Sequence, residues 1–98
     1  MRINDIYEKL KENNLCRSGH DFSRDYLGKH HSYLSMLKAR DQRASIEAWL
    51  MLSYSLQSRA QVLAASENPF ILEAATHLTK LQKVVATTII DYCVAKNR

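Results

Sequence analysis

Leu27-Gly28-Lys29-His30-His31-Ser32-Tyr33-Leu34-Ser35-Met36-Leu37-Lys38 is the stretch whose reading decides the fold. Gly28 suits a left-handed residue that ends one short helix. Ser32, or His31 before it, suits the cap of the next. Leu34 and Leu37 stand three apart and share the inward face of a helix over Ser32–Arg40, leaving polar side chains on its other faces. A short helix, a glycine turn and a second short helix pinned from behind are therefore expected here.

Working outward, the preceding helix is expected to open at Ser18 or at His20–Asp21 and to run through Leu27. A first helix is predicted over Asn4–Asn13, with Asn4 as its cap and Ile6, Tyr7 and Leu10 on one face. Downstream, Asp41–Ala44 is a polar connection, and Ser45 caps a fourth helix from Ile46 to about Ser58, with continuation through Gln61–Ala65 left open. Asn68-Pro69 marks a restart, Asn as cap and Pro at the first helical position. From there to about Lys96, Ile71, Leu78, Val85 and Tyr92 recur every seven residues, with Ala74, Leu81, Thr88 and Ala95 three further on. Thr87 and Thr88 soften that seam. The expected fold is all-α, with about five helices, a central helix-turn-helix and a long C-terminal amphipathic helix.

The 98 residues are enough for one domain, divided on this reading into a helical region at 1–66, with its helix-turn-helix at Phe22–Leu56, and the long helix at 67–98. Hydrophobic residues make up 46% and charged residues 24%, which excludes a disordered chain. No apolar run approaches the ~18 residues of a membrane span, and MRINDIYEKL lacks a signal peptide's apolar core, so a cytoplasmic location is expected. Cys16 and Cys93 fall in no CxxC pair and are expected as free thiols.

The net charge of +4 permits a polyanionic partner, and its placement says more than its size. Between Arg24 and Arg43 stand five basic residues (Arg24, Lys29, Lys38, Arg40, Arg43) against Asp25 and Asp41, which leaves +3 of the net charge in that segment. A charge-rich face is ordinarily just solvated. Here it coincides with the helical layout described above.

The run from Leu27 to Lys38 resembles the turn and recognition helix of Cro/C1-type (XRE-like) regulators, which read LG, a short turn, then S-x-hydrophobic-S-x-hydrophobic. Ala44-Ser45-Ile46-Glu47-Ala48-Trp49-Leu50-Met51-Leu52 resembles the opening of the helix that follows in that family. The likeness covers about 35 of the 98 residues. The family places a small Ala four residues before the glycine, where Arg24 stands, and an apolar residue after it, where Lys29 stands. Phe22 and Tyr26 are expected to supply the missing packing. The chain is also similar to small alphaproteobacterial proteins, a likeness that carries no function.

The resemblance implies a double-stranded DNA partner, with bacterial or phage-like transcriptional regulation as the role. His31, Ser32, Tyr33, Ser35 and Met36 would approach base edges, and Arg24, Lys29, Lys38, Arg40 and Arg43 would meet phosphates. Reading two half-sites requires a homodimer, and the seam Ile71, Leu78, Leu81, Val85, Ile89 and Tyr92 would build it, unless the same helix packs back on its own chain. The alternatives are a helical module that binds another protein and a nucleoid-type binder without sequence preference. His30-His31 gains charge as pH falls, which would tighten DNA binding; adjacent residues diverge on a helix and no further ligand stands nearby, so no metal is expected. The carboxylates and histidines form no nucleophile–base or two-carboxylate arrangement, so neither catalysis nor a cofactor is expected.

Overall fold

A computed structural model describes residues Arg2–Lys96, and the described chain is all-helical. Helix α1 spans Ile3–Glu12, α2 spans Gly19–Asp21 and continues as a π turn over Phe22–Tyr26, α3 spans Tyr33–Ala39, α4 spans Ile46–Ala64 and α5 spans Pro69–Lys96. The backbone of α5 measures about 42 Å at 1.5 Å per residue, and the molecule's longest dimension is 44 Å.

The helix ends follow local chemistry. Helix α1 stops in a Schellman motif: Asn14 takes φ 58°, and the Leu15 and Asn14 amides donate to the Leu10 and Lys11 carbonyls. Helix α3 stops the same way at Asp41, φ 47°, with the Gln42 amide on the Leu37 carbonyl. Both turns use short polar side chains that tolerate the left-handed region, where glycine is commoner. Ser18 caps α2 by accepting from the Asp21 amide, Ser45 caps α4 by accepting from Ala48, and Asn68 accepts from Phe70 at the start of α5.

One expected cap is corrected, and a second keeps its position but takes its acceptor from another helix. Helix α1 begins before Asn4; its cap is Arg2, whose amide donates to the Asp5 carboxylate, and Asn4 Oδ1 is buried in the first turn without a partner among the described residues. Ser32 stands at the cap position of α3, as expected, but its side chain makes no capping bond. The Leu34 amide, one of the donors a helix start leaves unpaired, instead donates to Ser23 Oγ at 3.1 Å, across the contact with the preceding helix. The Ser23 hydroxyl in turn donates to the Gly19 carbonyl at 2.8 Å. Ser23 is fully buried and caps α3 from eleven residues away.

The π turn explains why Ser23 and not Arg24 faces α3. Its wider ring, closed by the Leu27 amide on the Phe22 carbonyl, inserts one residue relative to an α turn. The small residue at the crossing therefore stands five positions before Gly28 rather than four, and Arg24 rotates outward. Phe22 and Tyr26 fill the interior beside it, with their rings stacked at 5.8 Å. Gly28 is left-handed at φ 62°, and a Cβ there would sit 3.3 Å from the Met51 side chain of α4.

Helix α4 is continuous past Ser58 to Ala64, and a four-residue connection returns α5 antiparallel along it. The core joins Ile6 and Leu10 of α1, Phe22 and Leu27, Leu52 and Leu56 of α4, and Leu78 and Val85 of α5. This corrects the seam expected between two copies. Leu78 and Val85 are buried in this chain's own core, with Leu81 and Ile89 packed against it and Ile71 half-buried. Of that set only Tyr92 is exposed. The reason is burial: α1–α3 alone leave one side of α4 uncovered, and the heptad stripe is the apolar surface that can cover it.

Leu78→Ala is expected to cost about 2–5 kcal/mol, as deletion of a fully buried leucine does, with a loss in urea denaturation independent of protein concentration. Ser23→Ala leaves the Leu34 amide buried and unpaired and is expected to cost about 1–3 kcal/mol. Hydrogen exchange should show the loss concentrated in the first turn of α3.

Candidate nucleic-acid interface

Helix α3 has seven residues, Tyr33 to Ala39, and its inward side is fixed by buried Leu34 and Leu37. At 100° per residue the side opposite them carries Ser35, Met36 and Ala39, all exposed, with Ser32 just before the helix on the same side. Tyr33 and Lys38 fall on its flanks. This outward side of α3 carries no acidic residue.

The residues expected to read bases thus divide. Ser35 and Met36 stand free on the exposed side. The Ser32 hydroxyl lies 2.8 Å from His30 Nδ1, which also accepts from the Ser32 amide, so a neutral His30 carries its proton on Nε2. Tyr33 is half-buried against the core, and its phenol oxygen accepts from the Ser45 amide at 3.1 Å. That phenol ties the start of α3 to the cap of α4, so Tyr33 positions the helix and its hydroxyl is occupied. His31 is exposed, with its ring 4.1 Å from His30 and 4.9 Å from His20.

The expected phosphate-contacting cations divide too. Arg24 is bonded to Asp21 at 2.9 Å, and its guanidinium, with Arg17, holds the Asp21 carboxyl below the usual carboxylate range. Lys29 lies over the Tyr33 ring and 3.8 Å from Glu47, its carbon stem covering the place where an apolar residue was expected. Lys38 leans back over Tyr7 of α1. Arg40 and Arg43 are exposed at the end of α3 and in the following loop, and neither has an ion-pair partner among the described residues. These exposed pairs are worth little singly and exchange readily for a phosphate.

Sequence reasoning missed two residues at this face. His20 meets His31 only because α2 and α3 cross; a Cβ on neighbouring Gly19 would lie 3.3 Å from Leu34, which shows how close the crossing is. Ala39 is exposed in line with Ser35 and Met36, and extending the 3.6-residue period by one turn identifies it. The histidine ring contact leaves no local trace in the sequence.

Away from α3, an open cleft lies between the π turn and α4, lined by Leu15, Tyr26, Ser55, Arg59 and Leu78 among others. Its groups are used internally. The Tyr26 hydroxyl donates to the Leu15 carbonyl, the Arg59 guanidinium lies 4.4 Å from the Tyr26 ring centre, and Ser55 donates to the Tyr26 carbonyl. Burial pushes the Tyr26 phenol and the nearby Cys16 thiol up from their ordinary values. Both cysteines are free, Cys16 buried and Cys93 exposed. Among the described residues, no group of three or more His, Cys, Asp or Glu is placed to hold a metal ion, and no helix is long and apolar enough to cross a membrane.

None of the curated proteins and none of the solved structures matches the chain. Residues 3–98 match a family of unknown function, DUF6626, and the chain belongs to that family.

Proposed function

We propose that this protein binds double-stranded DNA through α3, as a homodimeric transcriptional regulator of the helix-turn-helix kind. The observation that carries the reading is the crossing held by Ser23: a short helix capped and pinned from behind, with its polar side turned outward. A reading helix must be rigidly seated while its exposed side chains stay free for the major groove. Ser35 and Met36 are those side chains, with Met36 suited to a thymine methyl and Ser35 to a donor or acceptor on a base edge. Arg40 and Arg43, without an ion-pair partner among the described residues, would take phosphates, and Arg24, Lys29 and Lys38 flank them in weak surface contacts.

The second copy meets the far end of α5. Every residue from Ile90 to Lys96 is exposed, and Ile90 and Val94, one turn apart, are 62% and 52% exposed. An apolar pair on a projecting helix end suits a matching pair across a twofold. A protein-interaction role is the second reading, favoured by Leu50, Met51, Tyr54 and Val62, which are exposed along one side of α4.

Selection from random duplexes, followed by a salt titration, tests the reading. A selected site and a steep salt dependence are expected, with Arg40→Ala lowering the salt slope by about one and Ser35→Ala altering the selected sequence. No binding at low salt overturns the DNA role and leaves the protein-interaction reading; binding without preference reassigns it to nucleoid-type coating. Sedimentation equilibrium tests the dimer: Ile90→Lys with Val94→Lys is expected to weaken association roughly tenfold or more at unchanged thermal stability. A wild-type protein that stays monomeric at high micromolar concentration would sink the dimer.

A further inference from the structure

Three imidazoles meet where α2 crosses the start of α3. His31 lies between His20, at 4.9 Å edge to face, and His30, at 4.1 Å, although His20 and His31 are eleven residues apart in sequence. The charges acting on His31 are all positive: His30, His20 and Arg24. No acid is among the charges acting on His31: Asp21 takes Arg24 and Arg17, Glu47 faces Lys29, and Asp25 stands exposed.

We propose that His20, His30 and His31, with Arg24 beside them, form a proton-linked phosphate site at the junction of α2 and α3. The deduction rests on the DNA reading for its natural ligand, a backbone phosphodiester, and the same chemistry would accept free phosphate. Rings packed this closely without a carboxylate repel one another once charged, and an anion seated among them removes that penalty. Binding therefore takes up protons. A neutral His30 already gives Nδ1 to the Ser32 amide, so its Nε2–H is the donor left for the anion. Asp21 can release Arg24, one of the two cations that share it, and Arg17 remains on that carboxylate.

The empty site has the opposite linkage. Desolvation, and then the positive charge of His30, His20 and Arg24, hold the His31 imidazole below its ordinary value. The folded protein thus binds fewer protons here than the unfolded chain. Stability is full above the unfolded histidine value of about 6.5 and falls as pH drops through it toward the lower folded value. Phosphate should offset that fall.

Two measurements test the site on the intact chain. In the first, imidazole resonances are followed from pH 5 to 8 in phosphate and in chloride of equal ionic strength; phosphate is expected to move the His31 midpoint upward. In the second, the affinity of a selected duplex is measured at constant ionic strength. It should be about three- to tenfold tighter at pH 5.5 than at pH 8, the range one added imidazole proton allows. His20→Asn with His31→Asn should lose that dependence.

A midpoint shift in phosphate without duplex binding keeps the site and removes DNA as its ligand. A slope lost in the double variant without a phosphate effect assigns the site to phosphodiester alone. Unmoved midpoints together with equal slopes in wild type and variant overturn the proposal, whatever the duplex affinity at pH 8 says about DNA binding itself.

Discussion

The hydroxyl of Ser23 is the contact on which the rest of this structure depends. It is fully buried, donates to Gly19 within its own helix and accepts from the Leu34 amide of the next. A seven-residue helix is far below the length at which a helix holds itself in water, so α3 exists because its neighbours supply its missing partners. Ser23 supplies the first-turn acceptor, Leu34 and Leu37 supply the apolar anchor, and the Tyr33 phenol fastens the same end to the cap of α4. A buried hydroxyl with two partners is favourable; the same hydroxyl with one would be costly.

That single crossing organises both sides of the molecule. On the inside it goes with the π turn, at whose end the Tyr26 carbonyl accepts from Ser55 of α4, and with Phe22 and Tyr26 buried beside it. On the outside the same extra residue swings Arg24 to the surface and brings His20 up to His31. One inserted residue therefore seats the core and composes the exposed face. Helices α4 and α5 then act as the scaffold: Leu52, Leu56, Leu78 and Val85 bury the stripe that α1–α3 cannot cover, and Gln82 bonds across to Ser53.

The electrostatics of the face follow from geometry more than from count. The segment carries a surplus of cations, yet Arg24, Lys29 and Lys38 all lie against Asp21, Glu47 or an aromatic ring, whereas Arg40 and Arg43 have no ion-pair partner among the described residues. Contacts of this kind are weak in water and leave the cations available to a stronger anion. The composition of the outward side matters as much: Ser35, Met36 and Ala39 are small or unbranched and bear no charge, so close approach to a surface costs little desolvation.

The sequence by itself determined the helical class, the left-handed turn at Gly28, the caps at Ser45 and Asn68, and the inward pair Leu34 and Leu37. Each of these is local: a cap, a turn or a 3.6-residue period is written within a few residues of where it acts. The tertiary structure alone decided that Ser23 caps α3, that the Tyr33 hydroxyl is spent on Ser45, that Leu78 and Val85 serve this chain's own core, and that His20 joins His30 and His31. A heptad stripe records that a helix must bury one side, without recording against which surface. A hydroxyl or an imidazole records what it can bond, and only the crossing of two helices, shifted one residue by the π turn, supplied the partner.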